Sequence, residues 1–342
     1  MEKQMRTRVI PDVSVIIPVY NAGALIDRCL DSVFNQAGNY NIEVLLIDDG
    51  STDNSVDLIR RRPEQDRIRL FRQKNSGPSV ARNRGLAEAS GRYIAYIDAD
   101  DYWLPEFLDR TIGFLDNHGE CVAVSVAQRH VTLDGCSESP RNWSNITDGK
   151  SCVLSDFFKF WGKYNHICTG SILIRREFAL QVGGMREDLR SCEDLEFWAM
   201  IATKGQMGYI PEILFVSDGN KVTASLGWAK YKMRFAATKD FSDWSVRLRP
   251  MLTQVQLTDA SPRFNAIVLG ITRSFICGRR FGKAYDNMRY YVMTSKERHY
   301  MLDIAQKGRI VWYVFSCIYY SYRYLKVSLP YYRQRILNKP SK

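Results

Sequence analysis

The chain has 342 residues, 45% hydrophobic and 25% charged, a composition typical of globular proteins and a length sufficient for one large domain or two smaller ones. The polar, basic first twelve residues contain no apolar stretch and the eight cysteines form no Cys-x-x-Cys pair, so we expect a cytosolic protein with reduced thiols. The net charge of +11 is uneven: residues 1–220 hold 25 Lys and Arg against 31 Asp and Glu, whereas residues 221–342 hold 23 against 6, which suggests two regions with different tasks.

The first predicted strand is the apolar run Val13 to Ile17, which Pro18 is expected to end. A continuous apolar run is typical of a strand that is covered on both faces, as in a parallel sheet. Residues 24–36 then place their apolar side chains on one stripe of a helix. The next predicted elements are a strand at 42–48, a helix after Gly50, a strand at 67–73, a helix ending near Gly91, a strand at 92–98 and a helix at 104–119.

This regular alternation of strands and helices predicts an α/β fold with a doubly wound sheet. Ligands of such sheets bind at the carboxyl ends of the strands. Asp48 and Asp49 follow the second strand, and Asp98, Asp100 and Asp101 follow the fourth. We therefore expect these carboxylates to face one crevice.

Three of these carboxylates, Asp98, Asp100 and Asp101, occupy four consecutive positions after a buried strand. Like charges packed together cost free energy unless something neutralises them. A hard divalent cation does so, and Mg²⁺ or Mn²⁺ prefers a few carboxylates together with phosphate oxygens. The cluster is interpreted as a seat for a metal–diphosphate, and the alternative is a solvated loop that caps a helix.

Six segments occur in a fixed order across residues 12–215: VSVIIPVYNAG, IEVLLIDDGSTDNS, NSGPSVARNRGL, GRYIAYIDADDYWLPEFL, TGSILIRREFALQVGGMREDLRSCEDLEFWAMIATKG and YIPEIL. Each segment is weak evidence alone, but the ordered set is specific. It resembles the family 2 glycosyltransferases, which have the GT-A fold and transfer sugars from nucleotide-diphospho-sugars.

The resemblance implies a nucleotide pocket made by residues at the ends of several strands. Its residues would be Pro18, Val19, Tyr20, Asn21, Asp49, Arg82 and Asp98. Tyr20 would stack on the base, and Asp49 would accept a hydrogen bond from a base N–H, which suits an imide such as uracil. Arg82 would lie near the diphosphate, because a guanidinium group suits phosphate. The alternatives are a turn stabilised by its own side chains for Asp48 and Asp49, and a solvated helical residue for Arg82.

The family's DxD motif corresponds to Asp98-x-Asp100 and implies Mn²⁺ or Mg²⁺ as the cofactor. Asp100 would be the direct metal ligand, while Asp98 would lie closer to the ribose or to a metal-bound water. Family members often carry a His shortly after the strand that contains Ile-Pro-Glu, and this sequence has none there. Asp218 or Asn220 is a candidate replacement ligand, and His166 is a candidate residue on the acceptor side.

Glu193 and Asp194 lie at the start of a predicted helix. By resemblance this pair lies below the acceptor, and Asp194 is the base that removes the proton of the attacking hydroxyl. A single base without an enzyme nucleophile implies inversion at the anomeric carbon. The alternative is ordinary acidity at a helix N-terminus.

The resemblance ends near residue 225, and we predict a catalytic domain at 1–224 with a nucleotide half at about 12–101 and an acceptor half at about 102–224. Residues 225–342 are expected to be helical, basic and aromatic. Their uncharged run from Ile310 to Tyr322 has 13 residues, short of the ~18–20 that span a bilayer. Aromatic and cationic side chains together favour a membrane–water interface. A domain packed on the catalytic core, or a dimer contact, is the alternative.

The resemblance implies a glycosyltransferase that builds bacterial surface polysaccharide on a glycan or lipid-linked sugar acceptor, with a UDP-sugar favoured because UDP-sugars are the family's commonest donors. The basic, aromatic C-terminal residues add the expectation of a protein peripheral on the inner face of the cell membrane, with an anionic membrane surface as a partner. Nucleic acid is not expected as a partner, and the sequence does not indicate an oligomeric state. The alternatives are a metal-dependent phosphohydrolase and a non-catalytic basic protein that binds nucleic acid or membrane.

Overall fold

A ten-stranded mixed sheet forms the centre of the protein in a computed structural model that describes residues 10–132, 135–218, 235–292 and 299–337, with side chains described up to residue 326. The strands are β1 (Val13–Val19), β2 (Ile42–Asp48), β3 (Ile68–Arg72), β4 (Tyr93–Tyr96), β5 (Tyr102–Trp103), β6 (Cys121–Thr132), β7 (Gly135–Ser139), β8 (Cys152–Val153), β9 (Ile172–Arg175) and β10 (Gln206–Asp218). Eight of them lie in the order β3-β2-β1-β4-β9-β6-β10-β5, while β7 pairs with β6 and β8 with β10.

The helices that surround this sheet follow the strands closely in the first half and dominate the last third of the chain. They are α1 (Ile26–Phe34), α2 (Ser55–Arg60), α3 (Pro78–Glu88), α4 (Phe107–Asn117), α5 (Phe157–Lys163), α6 (Arg176–Gln181), α7 (Glu193–Ala202), α8 (Phe241–Ser245), α9 (Gln254–Asp259), α10 (Ser261–Cys277), α11 (Phe281–Asn287), α12 (Tyr300–Gln306) and α13 (Arg309–Leu337). Short 3₁₀ segments occur at Trp143–Gly149, Arg249–Met251 and Met288–Tyr290.

The predicted alternation is confirmed for the nucleotide half, where β3, β2, β1 and β4 run parallel. Every residue of β4 and all but one of β1 and of β2 are buried, because helices cover both faces of the sheet. On one face α3 approaches β1 closely, since a Cβ on Gly85 would lie 2.4 Å from Ile16 Cγ2. The fold is the predicted α/β class with a helical C-terminal region.

Pro18 does not end β1, contrary to expectation, because the strand continues to Val19. Pro18 pairs with Ile47 of β2, whereas β4 ends opposite Ile16. Backbone groups of alternate residues point to the same side, and Ile16 O accepts a bond from Ile97 N on the β4 side. The missing N–H of Pro18 therefore falls beyond the end of β4, where no ladder bond is lost.

The acceptor half of the sheet departs from simple winding. Strand β9 runs antiparallel to both β4 and β6, while β10 runs parallel to β6 and antiparallel to the short strand β5. The β5–β10 pairing brings the end of β10 beside the loop that carries the acidic cluster after β4. This arrangement fixes which side chains meet at the site.

The C-terminal helices share a hydrophobic core with the sheet. One buried cluster includes Ile16 of β1, Trp198 of α7, Phe264 of α10 and Trp312 of α13. The predicted boundary at residue 224 falls among residues 219–234, which lie outside the described part of the chain. Among the described residues, no helix combines the length and apolarity that crossing a bilayer requires.

Candidate active site

The acidic cluster lies at the carboxyl end of β4, where the strand leaves the sheet. One carboxylate oxygen from each of Asp98, Asp100 and Asp101 lies within 4.8 Å of the others. Burial, followed by the charge of Asp98, raises the pKa of Asp100 to about 6. The same causes raise the pKa of Asp101 above the ordinary carboxyl range. Three oxygens in mutual repulsion form a donor set that suits a hard divalent cation.

Asp101 is the most buried of the three carboxylates, and its hydrogen bonds join two segments of the site. Its Oδ1 accepts a hydrogen bond of 3.0 Å from the backbone N–H of Asp218 at the end of β10. Its own N–H donates to Asp98 O at 3.0 Å. Asp101 therefore ties the loop after β4 to β10.

Asp218 lies outside the three-carboxylate group, and its role as a possible metal ligand stays a prediction. Its Oδ2 accepts a bond from Arg28 Nη1 at 2.6 Å, and Arg28 Nη2 donates to Asp100 O at 2.6 Å. The guanidinium group also lies over the ring of Tyr102, with 4.8 Å between Cζ and the ring centroid. This pair involves Oδ2 of Asp218, just as the pair with Arg82 involves Oδ1 of Asp98. Asn220, the other candidate, lies outside the described residues.

Arg82 is 4% exposed and interacts both with the acidic cluster and with the carboxylates at the start of α7. Its Nη2 lies 2.6 Å from Asp98 Oδ1. Burial opposes its charge, but the charges of Asp98 and Glu193 raise the pKa of Arg82 above its usual range. Arg82 is thus a buried cation among carboxylates and not a solvated helical residue.

Asp49 at the end of β2 organises the loop that follows β3. Its Oδ1 accepts bonds from Gln73 Nε2 at 2.9 Å and from Ser76 N at 2.8 Å, and its Oδ2 accepts one from Gly77 N at 2.8 Å. Arg190 Nη1, from the loop before α7, donates to Ser76 O at 3.1 Å. The loop around Asp49 is therefore bonded to the acceptor half of the protein.

The turn after β1 contains the other predicted nucleotide residues. Asn21 has a left-handed backbone with φ of 51°, and its Oδ1 accepts a bond from Thr52 N at 2.8 Å. Pro18 and Val19 end the strand beneath it, and Tyr20 is 38% exposed. The side chain of Asn21 holds the turn against the loop after β2, and Tyr20 presents an aromatic ring at the surface.

Glu193 and Asp194 begin α7, where the unpaired N–H groups of a helix favour negative charge. Burial and the adjacent Glu193 raise the pKa of Asp194, while Arg82 acts in the opposite direction. Glu193 Oε2 is buried and has no hydrogen-bond partner among the described residues. A basic carboxylate beside an unsatisfied acceptor is suited to receive a hydroxyl proton.

His166 does not belong to this site. It is fully buried, and its ring packs edge-to-face on Phe157, Phe160 and Tyr209. Burial lowers the pKa of His166 to about 3. The candidate acceptor residue is therefore a neutral part of an aromatic cluster.

Sequence reasoning missed Arg28 and Arg190, which connect segments far apart in the chain. An arginine on a polar helix face gives no signal by itself. Only the convergence of α1 with β10, and of the loop before α7 with the loop after β3, reveals their partners.

Comparison with known proteins supports the family resemblance. Residues 14–182 match the model of glycosyl transferase family 2. A glycosyltransferase of Rickettsia felis is 30% identical over 204 residues, covering 59% of this chain and 32% of the relative. TuaG of Bacillus subtilis, named as a teichuronic acid biosynthesis glycosyltransferase, is 29% identical over 205 residues, covering 58% of this chain and 75% of TuaG. The chain thus spans about a third of the Rickettsia relative.

Two solved structures share the fold. Staphylococcus aureus TarS 1–349 in complex with UDP superposes with a TM-score of 0.61 at 18% identity, covering 91% of each chain. The mannosyltransferase PcManGT from Pyrobaculum calidifontis, in complex with GDP-Man and Mn²⁺, has a TM-score of 0.53 at 19% identity, covering 92% of this chain and 87% of the other. At these identities the likeness establishes the fold alone.

Proposed function

The chain belongs to glycosyl transferase family 2, and we propose that it transfers a sugar from a UDP-sugar to a hydroxyl of a glycan or lipid-linked acceptor with inversion. The single observation that carries this proposal is the position of buried Arg82, which bonds Asp98 at 2.6 Å and is close enough to Glu193 and Asp194 for their charges to raise its pKa. Donor and acceptor chemistry are thereby adjacent. The relationship to TuaG supports a role in bacterial surface polysaccharide synthesis.

The nucleotide would bind across the ends of β1 and β2. Asp49 Oδ1 already accepts two bonds, but Oδ2 accepts one and retains a lone pair for an imide N–H of uracil. The ring of Tyr20, which is 38% exposed, would stack on the base. The UDP complex of TarS and its UDP-GlcNAc complex favour UDP as the carrier.

Asp98 and Asp100 would hold Mn²⁺ or Mg²⁺, with Asp101 bracing them. When bound, such a cation offsets the negative charge that develops on the diphosphate leaving group. The chain's own contribution is to keep the carboxylates on a fixed loop between β4 and β10. Arg82 remains paired with Asp98 and limits how far that carboxylate turns.

Asp194 would take the proton of the acceptor hydroxyl as that oxygen attacks the anomeric carbon. Its raised pKa makes it a stronger base than an ordinary carboxylate while it remains ionised near neutral pH. One direct displacement with one base gives inversion.

Screening UDP- and GDP-sugars for thermal stabilisation, with and without Mn²⁺, identifies the donor. Transfer is then measured for the wild type, Asp194→Asn and Asp109→Asn, the last being a control on α4. We expect Asp194→Asn to abolish transfer and to bind UDP with Mn²⁺ within about twofold of wild type. Loss of UDP binding in Asp194→Asn would contradict the base assignment. Hydrolysis of phosphate esters without sugar transfer would favour a phosphohydrolase.

We also propose that the protein binds the anionic inner surface of the cell membrane through α13. Its outward face is apolar: Ile310 is 83% exposed, Val314 59%, Ile318 65% and Leu325 52%. Trp312 on the opposite face is fully buried. The positive charge of residues 221–342 attracts anionic lipid and repels a second copy of the chain, which favours a lipid surface as the partner.

This proposal is tested with Ile318→Asp, which places a charge on the exposed face, and Asp303→Asn on α12 as the control. Sedimentation with vesicles of phosphatidylglycerol and phosphatidylcholine should show at least about tenfold weaker binding for Ile318→Asp. Equal sedimentation of Ile318→Asp and wild type would exclude α13 as the anchor. Dimer dissociation by Ile318→Asp without vesicles present would identify a second copy as the occupant.

A further inference from the structure

The C-terminal region touches the start of α7 through Trp244 of α8. Trp244 is fully buried, and its Nε1 donates a hydrogen bond of 2.8 Å to Cys192 O. Cys192 has a left-handed backbone with φ of 58° and ψ of 26°, which is unfavourable for a residue with a side chain. It directly precedes Glu193 and Asp194. Such a conformation persists only where the surroundings fix it, and the indole N–H is one of the groups that do so.

A second contact from the same segment is made with Glu196, in the first turn of α7. Arg247 Nε and Nη2 each lie 2.7 Å from a carboxylate oxygen of Glu196, which is fully buried. Arg247 also donates to Val182 O at 3.1 Å and to Gly184 O at 3.3 Å. Its planar guanidinium group thereby ties α7 to the turn that follows α6.

We propose that Trp244 and Arg247 are positioning residues for the transfer reaction, holding the first turn of α7 so that Asp194 faces the acceptor hydroxyl. This inference rests on the proposed role of Asp194 as the base. It assigns the C-terminal region a part in catalysis in addition to any membrane contact.

The geometry distinguishes positioning from general stabilisation. Trp244 and Arg247, about fifty residues further along the chain, contact α7 at Cys192, which precedes its first turn, and at Glu196, which lies within that turn. Arg186, four positions after Val182, also donates to Asp243 O and to Trp244 O at 3.4 Å, so the loop before α7 and α8 are bonded in both directions. A displacement of about 1 Å at a catalytic group can cost about a hundredfold in rate.

The chain offers a closely matched control. Trp312 is also fully buried, lies in the same C-terminal region, and donates its Nε1 proton to a backbone carbonyl, Phe281 O, at 3.0 Å. Trp244→Phe and Trp312→Phe each remove one indole N–H and keep an aromatic ring. The two variants should lose similar stability, but only Trp244→Phe removes a bond to the residue before Glu193.

The experiment compares the two full-length variants with wild type in three measurements. Titration with UDP and Mn²⁺ reports nucleotide affinity, steady-state turnover of the donor selected by screening reports kcat and KM, and amide hydrogen exchange reports opening of residues 186–197. We expect Trp244→Phe to lower kcat about tenfold or more, with the donor KM and UDP affinity within about twofold. Its exchange at 186–197 should rise above that of Trp312→Phe.

Equal kcat and equal exchange at 186–197 in the two variants would overturn the proposal. If wild type binds UDP but transfers no sugar, the proposed function fails, and the exchange measurement alone still decides whether Trp244 fixes this turn. Should Trp244→Phe not fold, Arg247→Lys replaces it, because lysine keeps the charge and loses the two-pronged bond to Glu196. Wild-type kcat and exchange in Arg247→Lys would then refute the inference.

Discussion

Removing the partner of a buried charge is the most direct test of how the C-terminal region supports α7. Glu196 is fully buried and bonded twice by Arg247, whose side chain is 29% exposed. Arg247→Ala leaves a carboxylate in the core without a partner, which typically costs about 3–5 kcal/mol. Glu196→Ala leaves a partly exposed guanidinium that keeps the carbonyls of Val182 and Gly184 as acceptors, so we expect a smaller loss of about 1–3 kcal/mol.

Urea denaturation at 25 °C measures the free energy of unfolding of both single variants and of the double variant. Since removing Glu196 relieves the unpaired charge that Arg247→Ala creates, the double variant should lose less than the sum of the two. Equal losses in the two single variants, or full additivity, would refute the assignment of a desolvated ion pair.

Three further changes test the site itself. Asp49→Asn leaves one acceptor oxygen for three N–H groups, so calorimetric titration should show UDP affinity lowered about tenfold. Unchanged affinity would mean that the uracil ring does not bind at Asp49. The pKa of Asp100 is about 6 in the folded protein and higher than in the unfolded chain, so the metal-free protein binds more protons when folded and loses stability as pH rises from about 4 to 6. Mn²⁺ competes with those protons, and its stabilisation should grow from pH 5.5 to 7.5; a pH-independent Mn²⁺ shift in thermal denaturation would contradict this. His166→Phe should keep wild-type kcat, because His166 is a neutral member of an aromatic cluster; a large fall in kcat would return it to the acceptor site.

The strands and acidic residues of the predicted nucleotide half, residues 12–101, could be predicted because they depend on residue types that lie close together in the sequence. Apolar runs mark strands that are buried on both faces, and the carboxylates at 48–49 and 98–101 directly follow such strands. Parallel winding then brings those strand ends together by geometry alone. Strands β5 to β9 were not predicted. Strands β5, β7, β8 and β9 have five residues or fewer, and β5, β8 and β9 pair with segments far along the chain, so periodicity gave no signal for them; the longer strand β6 was missed as well.

The sequence by itself determined the wound α/β class, the family resemblance and the acidic residues that carry the proposed chemistry, because each depends on residue types at short spacing. Only the tertiary structure decided which charged side chains pair: Arg82 pairs with Asp98, and Arg28 pairs with Asp218. It also enclosed His166 among aromatic rings. The C-terminal contacts of Trp244 and Arg247 with α7 were likewise decided in three dimensions. These partners lie 16 to 190 residues apart in the sequence. The packing of strands and helices brings them together, and no local sequence pattern shows which residues will meet.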